Sequence, residues 1–575
     1  IGNLAQSLHW KHYRTTLHRY IGYVGSRSEQ QKQTIRLLGK FTDALLTAAE
    51  NRPSDGMEVD ETEATSSIGR RLPLTMLKGD QLNTEVIDYF LPMLVKHLHE
   101  KDESEVSYRV PVGITIVKLL KLLPEEQMDA KLAGVLTDIS HILRSKSLEA
   151  RDMTRDTLVK IASILGPSYF GFLLRELRSA LTRGYQLHVL SFTMHSILLQ
   201  IIPTCEPGDL DYCLSSIVTV VMDDIFGVIG QEKDAEGYTT QMKEIKSSKS
   251  QDSMELIAKT ASIGRLIELI KPVQALLMQK VDLKMVRKMD TLLTRVSTGL
   301  AQNPASESRD TLVLCYEIIQ NVYNAKKPQA EPKLDPRVKK YLVQKGAKKS
   351  GDRGQTSRNT YKLTRFAFDV MRSAFKKYDS LRTVENLAGF LPIIGDAILD
   401  GEDEVKMSAF RLLAVIVKVP FDDVNIFNVA VRDATKSISQ SISTTTDLAQ
   451  AALKMLAVIL RDRKDVVVKD HAVDMLLGKL KDDLTEPLYR HVTFNFLRAV
   501  LDRHVETAAV YDTMDYVGTV MITNDDKNTR DLARGAFFQF IREYPQKKAR
   551  WAKQLNFIVA NLKYDREGGR LSVME

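Results

Sequence analysis

The sequence predicts an all-helical protein built from stacked antiparallel helix pairs. Three observations carry that reading: apolar residues recur at helical spacing, that pattern itself repeats along the chain, and period-two alternation of the strand kind is scarce. Four segments align without gaps, LLAVIV from Leu412, MLAVIL from Met455, FLRAVL from Phe496 and FIREY from Phe540, at offsets of 43, 41 and 44 residues.

That period falls within the roughly 40–47 residues of HEAT and armadillo repeats, whose helix pairs bury their apolar faces only by stacking on their neighbours. The expected fold is therefore a HEAT/armadillo-like α-solenoid. One repeat can be read in detail. Leu387, Leu391, Ile394 and Ile398 share one helix face, DGED at 400–403 makes a turn, and Val405, Ala409, Leu412 and Ile416 share a second face. The small Ala409 admits a close helix neighbour. Upstream, Phe90, Leu91 and Pro92 match Phe390, Leu391 and Pro392 and are followed by an acidic turn, KDESE at 101–105, so repeats are expected near both ends.

Three stretches interrupt the pattern. Residues 51–67, NRPSDGMEVDETEATSS, carry five acids and one Arg and read as an exposed acidic loop. Residues 231–253 are charged and poor in apolar side chains, which predicts a protruding helix or disorder. Residues 325–360 read as a flexible basic linker, with Pro328, Pro332 and Pro336 early and Gly346, Gly351 and Gly354 late. The expected organisation is a helical array over 1–324, the linker over 325–360 and a second array over 361–575.

Composition supports a packed core, since 44% of the 575 residues are hydrophobic and 27% are charged. The longest uninterrupted apolar runs, such as MLAVIL, fall well short of the roughly 18 residues of a membrane span, so no membrane partner is expected. The chain starts at Ile1 and stops inside a helix-like pattern, which reads as a piece of a longer protein. Net charge is +8, but residues 326–365 hold 13 Lys or Arg against three acids. The attraction for polyanions is thus concentrated in one segment. Within it Lys339, Lys340, Lys345, Lys348, Lys349 and Arg353 are the candidate contacts to RNA phosphates, through counterion release. Only Tyr341 lies among them, so base stacking is not indicated. The plainer alternatives are a solvated linker or part of a nuclear import signal.

The common phosphate-loop, dinucleotide, zinc and nucleophile motifs are missing, and no catalytic residue, metal, cofactor or small-molecule substrate is expected. His9 and His12 lie three apart without a third ligand, so packing explains them. His188 and His195 share one side of an apolar helix with Ser191 and read as satisfied core histidines. Cys205, Cys213 and Cys315 form no CxxC pair and read as ordinary buried thiols.

Several stretches resemble one family, the U3 small nucleolar RNA-associated protein 20 or down-regulated-in-metastasis family. LGPSYFGFLLRELRSALTRGYQLHVLSFTMHSIL at 165–198 is similar to its first signature. DDIFGVIGQEKDAEGYTTQMKEIKSSKSQDSMELIAKTAS at 223–262 resembles a second, ending in an S-x-[DE]-x-x-E-x-x-AK pattern. YKLTRFAFDVMRSAFKKYD at 361–379 and LNFIVANLKYDREGGRLSVME at 555–575 resemble two more. The acidic loop and much of the basic segment match nothing diagnostic. The resemblance implies a nucleolar scaffold of the small-subunit processome that acts in 18S ribosomal RNA maturation. Its implied partners are pre-ribosomal RNA, U3 RNA and other assembly proteins, and this chain would be an internal portion. The competing reading is a nuclear transport receptor, also built from HEAT pairs. A pI near 9.0 argues against it, because such receptors resemble acidic superhelices that capture basic cargo.

Overall fold

The computed structural model describes residues 1–25, 30–51, 71–100, 106–233, 242–279, 281–326 and 359–575. The described residues are helical with no strand. Two compact units are present, one formed by Ile1–Pro272 with Arg287–Asn303, the other by Val273–Val286 with Pro304–Glu575.

In the first unit the helices of eight or more residues are α1 (Trp10–Tyr23), α2 (Gln31–Glu50), α3 (Leu91–His99), α4 (Val112–Leu120), α5 (Glu125–Ile142), α6 (Leu148–Leu165), α7 (Phe170–Ala180), α8 (Tyr185–Ile201), α9 (Leu214–Phe226) and α10 (Ser250–Thr260). Helices α11 (Ile267–Leu277) and α12 (Leu283–Gln302) each belong in part to both units. Successive helices pair as hairpins, and two layers result. Even-numbered helices stack in the order α2, α4, α6, α8 and α10, and odd-numbered ones in the order α1, α3, α5, α7 and α9.

The second unit repeats this arrangement with α13 (Asp310–Lys326), α14 (Tyr361–Lys377), α15 (Leu391–Asp400), α16 (Asp403–Ile416), α17 (Asn425–Gln440), α18 (Asp447–Asp462), α19 (Asp470–Leu480), α20 (Arg490–Asp502), α21 (Ala508–Thr523), α22 (Lys527–Glu543), α23 (Lys548–Asn561) and α24 (Glu567–Met574). The four aligned segments fall on α16, α18, α20 and α22, which stack directly on one another. The first residue of each, Leu412, Met455, Phe496 and Phe540, is at most 1% exposed. Each such side chain contributes about 1.5–3 kcal/mol by leaving water. Caps set the helix starts: Ser147, Thr446, Thr507 and Asp526 accept backbone N–H groups at the first turns of α6, α18, α21 and α22. The chain is thus an all-α, HEAT-like solenoid.

The structure departs from the sequence expectations in four places. The face from Leu387 to Ile398 is split between a short helix, Val384–Ala388, and α15, with Phe390 buried at the joint and Pro392 in the first turn of α15. The break shifts the register, so Ile393 is buried and Leu391 is only half-buried. The unit boundary does not follow the basic segment: α13 and α14, on either side of it, pack together inside the second unit. Of residues 231–253, 234–241 lie outside the described residues, but 242–253 do not protrude, because Glu244, Ile245, Ser250 and Ser253 are buried. Finally, two helical stretches, Tyr185–Thr204 and Asp211–Lys233, are long and apolar enough to cross a membrane by length and composition. Burial against other helices covers 61% and 56% of their apolar windows, as expected of core helices. The acidic loop beyond Asn51 and KDESE lie outside the described residues.

Candidate functional site

Two of the sequence signatures meet in the core of the first unit and form a polar lock. The first signature is shaped by its turn. Gly184 adopts φ +55°, a conformation that costs a side-chain-bearing residue about 1–2 kcal/mol, and α8 starts immediately after it. Gln186 Oε1 accepts the Thr182 N–H at 3.4 Å, and Tyr185 Oη donates to the Arg144 carbonyl at 2.5 Å. The turn places His188 inward at 3% exposure.

There His188 Nδ1 meets Asp224 Oδ1 of α9 at 2.6 Å. The other carboxylate oxygen accepts from Ser250 Oγ at 2.5 Å and Ser248 Oγ at 3.0 Å. Ser191 Oγ shares a 2.5 Å hydrogen bond with Ser250, and His195 Nδ1 lies 3.2 Å from Ser253 Oγ. Burial pushes the Asp224 carboxyl up, but its hydrogen bonds from His188 and Ser250 outweigh this and hold it below the usual range. Burial lowers the pKa of His195.

A second cluster sits beside the first. Glu244, 1% exposed, accepts from Arg151 Nε at 2.9 Å and Arg151 Nη2 at 3.1 Å, and from Arg155 Nη2 at 2.7 Å. Arg151 Nη1 also donates to the carbonyls of Ser145 and Lys146 at 3.0 and 2.9 Å. The Arg155 guanidinium lies 4.6 Å from the Phe192 ring centroid, a cation–π contact. Burial raises the Glu244 pKa, yet the arginines prevail and hold it at about 2. This pairing explains why a charged stretch folds inward: each buried charge meets a fixed counter-charge.

The arrangement contains Ser, His and Asp but is not a nucleophilic relay. Ser248 and Ser250 donate to the carboxylate rather than to the imidazole, and Asp224, His188 and Ser250 are all 5% exposed or less. It holds segments together. The helix following the lock is fitted equally closely: a Cβ at Gly299 of α12 would stand 2.2 Å from the Glu255 carbonyl oxygen of α10. Asn303 Nδ2 donates to the carbonyls of Ala258 and Ala261 at 3.0 and 2.8 Å.

The remaining sequence candidates are dispersed. Lys339, Lys340, Lys345, Lys348, Lys349 and Arg353 lie outside the described residues. His9 and His12 are exposed rather than packed, and His9 instead caps α1, its Nδ1 accepting the Lys11 N–H at 3.3 Å. Cys213 and Cys315 are buried, and burial pushes both thiols up to about 12; half-buried Cys205 is raised to about 11. Among the described residues no group of three or more His, Cys, Asp or Glu is placed to hold a metal ion.

The lock lies within the stretch matched by a family model. Residues 99–319 match the U3 small nucleolar RNA-associated protein 20 domain, which encloses both signatures. The whole chain aligns with U3 small nucleolar RNA-associated protein 20 of Schizosaccharomyces pombe at 37% identity, and with that of Saccharomyces cerevisiae at 35%. The chain belongs to this family. It spans 23% of the length of either relative. Among solved structures, the karyopherin Kap121p bound to RanGTP is similar with a TM-score of 0.48 and 11% identity, over 96% of this chain and 53% of that one. In this member of the U3 small nucleolar RNA-associated protein 20 family, Arg151, Arg155, Asp224, Glu244, Ser248 and Ser250 do not stand out in the sequence. Each looks like an ordinary surface residue until a partner 24 to 93 positions away is known.

Proposed function

We propose that this chain is a non-catalytic scaffold segment of the small-subunit processome, holding pre-ribosomal RNA and assembly factors during 18S ribosomal RNA maturation in the nucleolus. The observation that carries the reading is end-to-end similarity to two proteins named for association with the U3 small nucleolar RNA. The architecture suits it: stacked helix pairs offer long continuous surfaces, and the polar groups of the signatures are engaged in holding the stack. The basic segment, through Lys339, Lys340, Lys345, Lys348, Lys349 and Arg353, is the proposed tether to RNA phosphates, with U3 RNA a second RNA partner.

Ultraviolet crosslinking of the tagged chain in cells, followed by sequencing of the attached RNA, tests this. Reads concentrated on precursor ribosomal RNA or the U3 RNA are expected. Reads at background would make RNA an indirect partner and overturn the RNA-holding part of the reading.

A further inference from the structure

The cations that sequence counting passes over are spread one or two per helix along the even-numbered layer of the second unit. Lys376 is exposed at the end of α14, Arg411 is half-buried on α16, Lys454 is exposed on α18, and Arg498 is exposed on α20. Among the described residues, Lys376, Arg411 and Lys454 have no carboxylate within ion-pairing distance, and Arg498 bonds to the neutral Gln539, Nε to Oε1 at 3.1 Å. Their helices α14, α16, α18 and α20 stack in succession. Burial, reinforced by Arg372, Arg411 and Lys454, lowers the Lys376 pKa.

Lys454, Arg498 and Arg461 also line an open groove of about 580 Å³ that crosses α18, α20 and α22. Its floor is made of the small side chains Ala457, Val458, Val492 and Ala499, and its acid is Asp502. Arg461 is engaged by its neighbour Asp462. Within the first unit, separately, α2, α4 and α6 carry a basic groove of about 820 Å³, lined by Lys32, Arg36 and Lys40 of α2, Lys118 of α4 and Lys160 of α6, with Asp43 as its acid. Lys118 is paired with Asp43, and the other four cations outnumber the carboxylates.

We infer that the even-numbered helix layer of the second unit is a built RNA-backbone track, with Lys376, Arg411, Lys454 and Arg498 as its phosphate contacts. This rests on the ribosomal-RNA reading above and adds a place for the RNA apart from the basic segment. Stacked helices lie about 8–10 Å apart, so one cation per helix gives a regular row of positive charge. A nucleic-acid backbone presents charge at equally regular intervals. The shallow Ala and Val floor leaves room for sugars but offers no deep pocket to anchor the large apolar side chains by which an acidic peptide helix would dock.

The experiment is binding of a fluorescein-labelled 20-nucleotide oligouridine to the whole chain across a salt series. It compares wild type, a track variant (K376A/R411A/K454A/R498A) and a variant with the six arm cations replaced by Ala. Every single-strand phosphate that is no longer neutralised reduces the salt slope by about 0.7, so the track variant is expected to show a slope smaller by about 3, with an unchanged unfolding transition. The charge-conserving variant K376R/R411K/K454R/R498K should keep the slope. An unchanged slope in the track variant, with binding abolished in the arm variant, would overturn the track and leave the functional reading intact. No binding by wild type would overturn both. Displacement of the RNA by a polyglutamate of equal charge at equal concentration would assign the groove to an acidic protein and refute the RNA assignment.

Discussion

Replacing Glu244 by Gln removes a single negative charge from between two buried guanidinium groups, and its cost can be worked from the geometry. Three charge-assisted hydrogen bonds, at 2.7, 2.9 and 3.1 Å, end on this carboxylate. A carboxyl whose pKa falls from 4.5 in the unfolded chain to about 2 in the fold contributes about 3 kcal/mol at neutral pH. Breaking a buried pair by removing one partner costs about 3–5 kcal/mol by a separate route, because the surviving charge is left uncompensated. The sign follows from the lowered pKa: the contribution is fully present above pH 4.5 and is lost as pH falls toward 2. Urea unfolding of wild type and E244Q at pH 7 should differ by about 3 kcal/mol in the transition of the first unit, and the difference should shrink steadily below pH 4.5. A difference below about 1 kcal/mol at pH 7, or one independent of pH, would refute the argument that this ion pair locks the 242–253 segment.

Two further substitutions probe the same region. Asp224→Ala leaves His188 and two serine hydroxyls without their acceptor, and should destabilise the first unit by roughly 2–3 kcal/mol in urea unfolding. A change within about 0.5 kcal/mol, the range of a surface substitution, would contradict the lock. Gly299→Ala places a methyl 2.2 Å from the Glu255 carbonyl oxygen and 2.8 Å from Ala258 Cβ, so α10 and α12 must separate. A destabilisation of about 1–3 kcal/mol is expected, with faster amide exchange in both helices; a neutral result would mean that the two helices relax freely around the methyl.

The layered stack is legible in the sequence because its determinants are local and repeated. Leu412, Met455, Phe496 and Phe540 occupy one position of a period, and a single chain suffices to see that. The lock is legible only as letters that packing alone does not demand. His188 reads as a satisfied core residue and is one, but its partner Asp224 lies 36 positions away on another helix, beyond any periodic pattern. Glu244 misleads for a physical reason: charge normally marks solvent, and only the two arginines, 89 and 93 residues upstream, reverse that expectation. The split at Phe390 is hidden because Leu387, Leu391 and Ile394 keep helical spacing across a break in the helix. The track escapes a search for charge in runs. Its signal is nevertheless present, since Arg411 and Lys454 each directly precede an aligned apolar segment and Arg498 falls inside another.

The 93-residue span between Arg151 and Glu244 also sets a schedule for synthesis. Each helix hairpin can collapse on its predecessor as it leaves the ribosome, yet the lock has no second half until residue 244 has been made. At about 5–20 residues per second, the two arginines wait roughly 5–20 s before their counter-charge exists. For that interval the nascent array is a row of neighbours without a clasp, and the arrival of Glu244 is what ends the wait.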